Sequence, residues 1–345
     1  MRVLAIRSDD SGCGFSRIMA PCKVLSDGGM NITQAKNGGI ESWRDSITDR
    51  IIHIEEVPYD VVVMQLPSRQ DALDTIPLLQ AQGVAVVVDF DDDYWAFHPG
   101  HFMKDHEDRF KMSKAAMMAD LVTVTTPALA RKIKPWTVNP PKVVRNCIPE
   151  SYLATLALEH DGMRVGWSGN PDTHPADLEA AGDAVRRVVR ANGATFYSVG
   201  TDLSATLLGF DDKETLVQDW VPLELYPEAL KQMDIGIVPL QSNAFNDAKS
   251  YLKGLEYASL GIPFVASATP EYERLKFQGV GLTAMHKQEW YKKLNSLLQS
   301  QELRAELIGT GLEFAQINTY EINAFKWEEA WELAIKNRKK DLTRD

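Results

Sequence analysis

The sequence predicts an α/β protein made of two doubly wound domains in tandem. Short apolar segments rich in β-branched residues alternate with segments of helical spacing, which is typical of parallel sheets covered on both faces. The same order restarts near residue 163, where Met163-Arg164-Val165 repeats Met1-Arg2-Val3 and a Ser-Gly pair again follows. The length of 345 residues suits two domains of ordinary size better than one core.

In the N-terminal half, strands are predicted at residues 3–6, 61–66, 84–88, 121–125 and 143–144. Residues 84–88 form a continuous apolar run, as expected for a strand buried on both faces. Helical spacing predicts helices over residues 71–82 and 104–119.

The C-terminal half repeats this order after residues 149–162, a stretch without strand pattern that we take as the joint between the domains. The predicted strands cover residues 163–165, 196–199, 235–238 and 263–266, and the predicted helices cover residues 175–190, 250–260, 288–299, 303–314 and 321–337. Ligands of such sheets bind beyond the carboxyl ends of the strands. The loops after the strands are therefore the expected place of the chemistry.

Composition and charge exclude several classes of protein. Hydrophobic residues make up 44% of the chain and charged residues 25%, which argues against extended disorder and coiled coils. The net charge of −11 disfavours a dedicated nucleic-acid surface, because such surfaces are basic. Cys13, Cys22 and Cys147 form no CxxC pair, as expected in a reducing cytosol. With no signal-peptide pattern and no apolar run near the roughly 20 residues that span a bilayer, we expect a cytoplasmic location.

In each domain, a loop of small residues follows the first predicted strand. Gly12 and Gly14 would let the backbone approach a phosphate, and the helix that begins there offers free N–H groups. The alternative is a plain tight turn, and Pro21 disagrees with a continuous helix. The second loop carries Ser168-Gly169 and leads to His174, which could be a functional residue or a plain polar loop residue.

The third loop and its helix carry the most specific pattern. Lys249, Lys253 and Glu256 are spaced by four and three residues and would share one helical face. The alternative is a solvated ladder of salt bridges. However, a cation at a helix start opposes the dipole, so Lys249 is better explained by an anionic ligand. The Glu256 carboxylate could accept two hydrogen bonds from a ribose diol.

The run FNDAKSYLKGLEYASLGIPFVAS, which begins at Phe245, resembles the donor-binding helix of GT-B retaining glycosyltransferases of the family 4 type. The resemblance extends to residues 216–222, Tyr226 and residues 233–240. The segments SGCGFSRIMAP and VVVDFDDDYW are similar to glycosyltransferases common in bacteriophage genomes. The Trp-rich last helix resembles the family's C-terminal helix, which crosses back onto the N-domain.

The resemblance implies a GT-B fold with two Rossmann-like domains. The N-terminal domain, residues 1–155, would face the acceptor, and the C-terminal domain, residues 156–318, would bind the sugar nucleotide. Residues 319–345 would form the returning helix. The implied activity is sugar transfer with retention, of the hexosyltransferase type, from a UDP-sugar as the favoured donor.

The resemblance also assigns residues to the donor. Glu256 matches the second Glu of the E-x7-E motif, while the first falls at Ala248, so Asp247 is its candidate substitute. The family's Arg-x5-Lys pair is absent after the first C-domain strand. The implied donor-binding residues are Gly12, Gly14, Ser168, Gly169, Trp220, Val221, Tyr226, Lys249, Ser250 and Glu256.

An acidic cluster follows the strand at residues 84–88 and contains Asp89, Asp91, Asp92 and Asp93. It could hold a divalent cation, since neighbouring carboxylates repel one another without a counter-charge. Other interpretations are a helix-capping loop, a face of the donor or acceptor site, and the first motif of a haloacid-dehalogenase-like phosphatase. A metal is not required if a lysine and helix N-termini neutralise the diphosphate.

Two histidines, His98 and His101, flank a Pro-Gly pair next to Asp105 and His106. They could mark a zinc site or a surface loop. The resemblance adds a third hypothesis, because the family often places a histidine in the N-domain half of the cleft. The implied catalytic residues are Lys249, Asp247, His98 and His101.

Three functions follow from these patterns: a sugar transferase, a GT-B nucleotide-sugar epimerase, and a sugar-nucleotide-binding module without catalysis. The acceptor is not encoded in any pattern. Because the chain is acidic, a protein or a glycan is ranked above a modified DNA base.

Overall fold

The structure is a computed structural model that describes residues 1–97, 106–156, 159–174 and 176–343, without the side chains of His106 and Asp212. His98 and His101 therefore lie outside the described residues, and their predicted roles stay predictions.

The N-domain contains a six-stranded parallel sheet of order β2-β1-β5-β6-β7-β8 and a separate antiparallel pair, β3-β4. Its strands are β1 Arg2–Arg7, β2 Asn31–Lys36, β3 Ser42–Arg44, β4 Ile51–Ile54, β5 Val61–Gln65, β6 Ala85–Phe90, β7 Leu121–Val124 and β8 Lys142–Val143.

The C-domain contains a second six-stranded parallel sheet, of order β11-β10-β9-β12-β13-β14. Its strands are β9 Arg164–Ser168, β10 Thr195–Gly200, β11 Thr215–Asp219, β12 Ile235–Val238, β13 Phe264–Ser267 and β14 Leu282–Ala284. This order is that of a dinucleotide-binding doubly wound sheet.

Helices cover both faces of each sheet. In the N-domain they are Gly12–Gly14, the π-turn Phe15–Met19, Ala20–Asp27, Gln70–Ala81, His106–Met118, Pro127–Ile133 and the 3₁₀ turn Lys134–Trp136. The α-helices that follow are Ala184–Ala191, Leu203–Leu207, Tyr226–Leu230, Leu252–Ser259, Pro270–Phe277, Lys287–Gln299, Gln301–Gln316, Tyr320–Asn323 and Phe325–Leu342. The further 3₁₀ turns are Glu150–Ala154, Pro171–Thr173, Asp177–Ala180, Asp212–Glu214, Leu223–Leu225 and Asn246–Ala248.

The central strands are buried on both faces because alternate side chains enter different cores. Val62 and Val86 pack into one apolar cluster, whereas Val63 and Val87 pack into the cluster on the other face. The helix Phe325–Leu342 covers this second face with Trp331, which is 1% exposed. The predicted return of the last helix to the N-domain is therefore confirmed.

The chain crosses between the domains twice, at neighbouring points. Cys147 belongs to an N-domain core cluster and Ile148 to a C-domain cluster. On the return, Ile148 forms a parallel bridge with Thr319. The amide of Ile148 donates to Asn318 O at 3.2 Å, and the amide of Tyr320 donates to Ile148 O at 2.9 Å. The predicted domain limits at residues 155 and 318 stay predictions.

Several predicted elements differ from those observed. The helix predicted over residues 175–190 is divided into the 3₁₀ turn Asp177–Ala180 and the helix Ala184–Ala191, because Gly182 has a φ of +56° between them. The helix predicted from residue 250 begins at Leu252. Pro21 is tolerated because it stands near the start of an α-helical segment, directly after the π-turn.

No helix in the described part of the chain is both long enough and apolar enough to cross a bilayer.

Candidate functional site

A cleft of about 580 Å³ lies between the two domains. Small-molecule sites commonly occupy about 300–1,000 Å³. The strand order reverses between β1 and β5 in one sheet and between β9 and β12 in the other. Ligands of doubly wound sheets bind at such reversal points. Because the loops after β1, β9 and β12 all line this cleft, it is the candidate site.

Glu256 belongs to a hydrogen-bonded network on the C-domain wall of the cleft. The Tyr226 hydroxyl lies 2.9 Å from Ser168 Oγ, accepts a hydrogen bond from Lys253 Nζ at 3.2 Å and bonds to Glu256. Lys253 Nζ lies 3.9 Å from the Glu256 carboxylate. Burial raises the pKa of Glu256, and Lys253 and Tyr226 oppose this rise only in part. Further donors, such as ribose hydroxyls, would therefore stabilise the ionised carboxylate.

Lys249 reaches across the cleft to the N-domain. Its ammonium donates to Asp92 Oδ2 at 3.0 Å and lies 4.5 Å from the centre of the Phe245 ring. Burial acts to lower the pKa of Lys249, but the attraction of Asp92, joined by that of Asp177, outweighs burial, so the pKa lies above its usual value. The predicted place of Lys249 at the helix start is wrong, because the residue lies in extended backbone before Leu252.

The start of the helix Leu252–Ser259 faces the cleft through Ser250, Leu252 and Lys253. Ser250 Oγ accepts a hydrogen bond from Asn146 Nδ2 at 2.9 Å, which joins this segment to the N-domain. A helix N-terminus with a lysine beside it attracts anions. This end of the cleft therefore combines two lysines with the positive end of a helix.

Trp220 and Val221 form another part of the C-domain wall. The Trp220 ring is 57% exposed and packs against Gly200 at the end of β10. A Cβ atom at position 200 would lie 2.7 Å from the ring, and Gly200 has a φ of +116°. The glycine thus allows the Trp220 ring to lie close against the end of β10.

In the loop after β1, backbone amides that could bind an anion already donate to the carboxylate of Asp9. Asp9 Oδ1 accepts hydrogen bonds from the amides of Ser11 at 2.8 Å and Gly14 at 3.2 Å. Gly14 is required at this turn because a Cβ atom there would lie 2.0 Å from Asp9 O. Gly12 lines the cleft. An anion at Gly12 would therefore meet the Asp9 carboxylate as well as the helix N-terminus.

Each carboxylate of the acidic cluster has a partner within the protein. Asp89 pairs with a buried arginine, as described below, and Lys249 donates to Asp92 Oδ2 at 3.0 Å. Asp91 accepts from the Tyr94 hydroxyl at 2.6 Å, and Asp93 accepts from Lys132 Nζ at 2.5 Å. Burial, followed by repulsion from Asp92, raises the pKa of Asp91.

Within the described ranges, no group of three His, Cys, Asp or Glu side chains is arranged to hold a metal ion. The cation predicted near Asp91, Asp92 and Asp93 stays a prediction, and such a cation would compete with Lys249 and Lys132 for these carboxylates.

Arg17 is a structural residue of the site that the sequence patterns did not single out. Its side chain is fully buried, and it pairs with Asp89 through Nε–Oδ1 at 2.9 Å and Nη2–Oδ2 at 2.7 Å. Its remaining nitrogen donates to Val144 O at 2.8 Å and Asn146 Oδ1 at 2.9 Å. The guanidinium therefore neutralises the first carboxylate of the acidic cluster and ties the first helix to the strand ends.

His174 is a second residue that the sequence patterns undervalued. It lines the cleft, and its Nδ1 lies 3.0 Å from Asp177 Oδ2. The Asp177 carboxylate also accepts hydrogen bonds from the backbone N–H of Gln241 at 2.9 Å and from the side-chain Nδ2 of Asn246 at 2.6 Å. The spacing His-x-x-Asp after a strand was the available signal, but the partners from residues 241 and 246 are visible only in the fold.

The structure brings together nine of the ten predicted donor-binding residues, and their roles stay predictions. The residues that line the cleft are Gly12, Ser168, Gly169, Trp220, Val221, Tyr226, Lys249, Ser250 and Glu256. Gly14 is buried, and Asp247 has an exposed side chain; neither of these two described residues lines the cleft.

Comparison with known proteins gives structural but not sequence relatives. No protein-family model matches the chain, and no curated protein matches its sequence. HepE from Anabaena, solved with UDP, superposes with a TM-score of 0.66 at 13% identity, covering 96% of this chain and 100% of HepE.

Two further structures are similar over different shares of their length. TarM of S. aureus gives a TM-score of 0.59 at 14% identity; 79% of this chain is covered, and the chain spans only 54% of TarM. A protein described as a putative UDP-N-acetylglucosamine 2-epimerase from Listeria monocytogenes superposes with a TM-score of 0.56 at 10% identity. The match covers 94% of this chain and 93% of the Listeria protein.

These likenesses concern the fold, and they confirm the predicted fold class: the chain has the two-domain GT-B fold with Rossmann-like domains. HepE has been solved in complex with UDP and with UDP-glucose, and TarM in complex with UDP.

Proposed function

We propose that this protein is a glycosyltransferase that uses a nucleoside-diphosphate sugar, with a UDP-sugar as the favoured donor. The observation that carries the proposal is the meeting of Glu256, Lys249 and the start of the Leu252–Ser259 helix on one wall of the interdomain cleft. Structural neighbours support it, because HepE has been solved with UDP-glucose and TarM with UDP.

The nucleoside would lie against the C-domain. Glu256 would accept hydrogen bonds from the ribose hydroxyls, which supply the donors that this buried carboxylate lacks. The exposed face of Trp220 offers the base a stacking surface. Val221 and Tyr226 border the same region.

The diphosphate would face the cations. As the bond between the sugar and the diphosphate breaks, the leaving group gains negative charge and the sugar becomes oxocarbenium-like. Fixed donors aimed at those oxygens stabilise that state. Lys249, Lys253, Ser250 and the helix N-terminus supply donors on the C-domain wall, with Ser168-Gly169 beside them. With this set in place, the proposed reaction requires no metal.

Recognition of the sugar ring would depart from the family pattern. Ala248, where the resemblance expects a glutamate, is fully buried and packs against an N-domain core cluster. Its carbonyl accepts a hydrogen bond from Thr126 Oγ1 at 2.8 Å. Asp247 is exposed, so it would reach the sugar only after a rearrangement of the turn Asn246–Ala248. Retention of configuration rests on the resemblance alone, as do the family 4 and phage-like character.

The acceptor would enter from the N-domain side, where Asp91 and Asp92 line the cleft. An acidic wall disfavours a nucleic-acid backbone, so a protein or glycan acceptor remains ranked above a modified DNA base. A cytoplasmic location is also part of the proposal, and the three unpaired cysteines support it.

The decisive experiment separates sugar transfer from its alternatives. The protein is incubated with UDP-glucose, UDP-N-acetylglucosamine and UDP-galactose without an acceptor, and the products are separated by ion-exchange chromatography. A transferase slowly releases UDP and free sugar by using water as the acceptor. Lys249→Met should slow this release at least about tenfold, the loss of one charge-assisted contact. Lys292→Met, on an exposed helix face, should not change it.

The main alternative is a nucleotide-sugar epimerase, which the likeness to the Listeria protein over 94% of this chain favours. Conversion of the donor into a different UDP-sugar without UDP release would support it. Binding of UDP without either reaction would support a sugar-nucleotide-binding module. If UDP, GDP and ADP all fail to bind, the donor site itself is wrong.

A further inference from the structure

Among the described residues, the cations at the diphosphate end of the cleft already have partners within the protein. Lys249 pairs with Asp92, and Lys253 contacts Tyr226 and Glu256. Arg17 also borders the cleft, but its guanidinium bonds to Asp89, Val144 O and Asn146. The loop of residues 168–177, which follows β9, contains no lysine or arginine. His174 is the one side chain of this loop that can gain a positive charge.

The imidazole of His174 is held in one orientation. Its Nδ1 lies 3.0 Å from Asp177 Oδ2, and its ring meets the Trp167 ring edge-on at 6.3 Å and 86°. Because Asp177 is an acceptor, Nδ1 carries the proton and Nε2 is the nitrogen left for another partner. Asp177 is 4% exposed and is itself fixed by Gln241 and Asn246.

The charged groups that act on the imidazole are Asp177, Lys249 and Lys253. Burial lowers the pKa of His174, the two lysines add to that effect, and Asp177 opposes it. Without a bound ligand the imidazole is therefore neutral near pH 7, and Nε2 has no hydrogen-bond partner among the described residues. An incoming diphosphate adds negative charge beside the imidazole, which favours the charged form.

We propose that His174 is a titratable part of the diphosphate site, which takes up one proton from solvent when a nucleoside diphosphate binds and then donates Nε2–H to a phosphate oxygen. Asp177 is the positioning residue, since it holds Nδ1–H and stabilises the imidazolium. This inference rests on the proposed donor site. Its consequence is that donor affinity falls as the pH rises through the pKa of His174 in the complex.

The test measures UDP binding by calorimetry from pH 6.5 to 8.5, in buffers of different ionisation enthalpy, so that the number of protons taken up is obtained at each pH. His174→Asn keeps an amide where Nδ1 bonds to Asp177 but cannot titrate. His174→Gln instead places an amide near Nε2, and it serves if the first variant does not fold. The ionisation of UDP itself is the same for every variant, so it cancels in the comparison.

His53→Gln is the matched control, because His53 is exposed on the β4 strand against Trp43 and does not line the cleft. We expect His174→Asn to raise the Kd about tenfold at pH 6.5, the equivalent of one charge-assisted hydrogen bond. The ratio of the Kd of His174→Asn to the Kd of the wild type should fall to about one at pH 8.5. The proton uptake of the variant should be lower than that of the wild type, and His53→Gln should match the wild type throughout.

Equal proton uptake in wild type and His174→Asn, or a Kd ratio that does not change with pH, would overturn the inference while the donor site stands. A constant ratio above one would reveal a structural role for His174 only, and so would also overturn it. If the wild type binds none of UDP, GDP and ADP, both the proposed function and this inference fail.

Discussion

The substitution Glu256→Gln tests whether the Glu256 carboxylate binds the ligand or only stabilises the fold. The Glu256 side chain is 14% exposed, and its protein partners are a Tyr226 hydrogen bond and Lys253 at 3.9 Å. If the carboxylate accepts two ribose hydroxyls, the amide keeps one acceptor and loses about one charge-assisted hydrogen bond. Such a bond contributes about 1.5–3 kcal/mol, so the Kd for UDP should rise about tenfold to a hundredfold.

The same substitution should not destabilise the free protein. Burial raises the pKa of Glu256 in the folded state above its usual value. The ionised form is therefore disfavoured by folding, and the stability associated with the protonated form is lost as the pH rises through the folded pKa. At pH 7 the glutamine avoids this loss, so the Tm without ligand should equal or exceed that of the wild type. Below the usual glutamate pKa the difference should vanish.

Thermal unfolding with and without UDP measures both effects, and calorimetry supplies the Kd. Glu271→Gln is the control, because Glu271 is 6% exposed, pairs with Arg145 and Arg274, and does not line the cleft. It should lower the Tm and leave the Kd unchanged. Unchanged UDP affinity in Glu256→Gln, or a lowered Tm with normal affinity, would refute the assignment of Glu256 to the ribose.

Three further predictions concern the pairs and packing around the cleft. Asp92→Asn frees Lys249 and removes an anion facing the diphosphate, so UDP should bind about threefold to tenfold more tightly, about 1 kcal/mol; weaker, Mg²⁺-dependent binding would favour a cation site instead. Asp89→Asn leaves Arg17 unpaired in the core, so urea unfolding should report a loss of about 3–5 kcal/mol, and a loss below about 1 kcal/mol would contradict this. Trp331→Ala should reduce the free energy of unfolding by about 3–5 kcal/mol through the cavity it leaves, and an unchanged urea midpoint would argue that the last helix is dispensable.

The sequence predicted the central strands and the edge strand β8, but it missed the other three edge strands, β2, β11 and β14. β5 and β6 were predictable because β-branched residues follow one another in strands covered on both faces. β2, with the sequence NITQAK, and β11, with TLVQD, are largely exposed edge strands. Their mixed polarity does not distinguish them from loops. The short hairpin β3-β4 was missed for the same reason. All three side chains of β3 and two of the four side chains of β4 are exposed.

The site was predictable where one segment carries it and not where partners come from distant segments. Glu256 and Lys253 lie on one helix, so their spacing placed them together. The partner of Lys249 is 157 residues away, at Asp92. The acidic cluster suggested a metal because the sequence cannot reveal that Arg17, 72 residues before Asp89, neutralises its first carboxylate.

The paired crossings at Ile148 and Thr319 have a consequence for how the cleft can open. Both connections between the domains run side by side and are hydrogen-bonded to each other, so they act as a single pivot at the cleft, which Ile148 and Tyr320 line. Rotation about that pivot would widen the mouth of the cleft while its floor stays together. Contacts that join the domains across the cleft, such as Lys249 with Asp92, would then have to break to admit the donor.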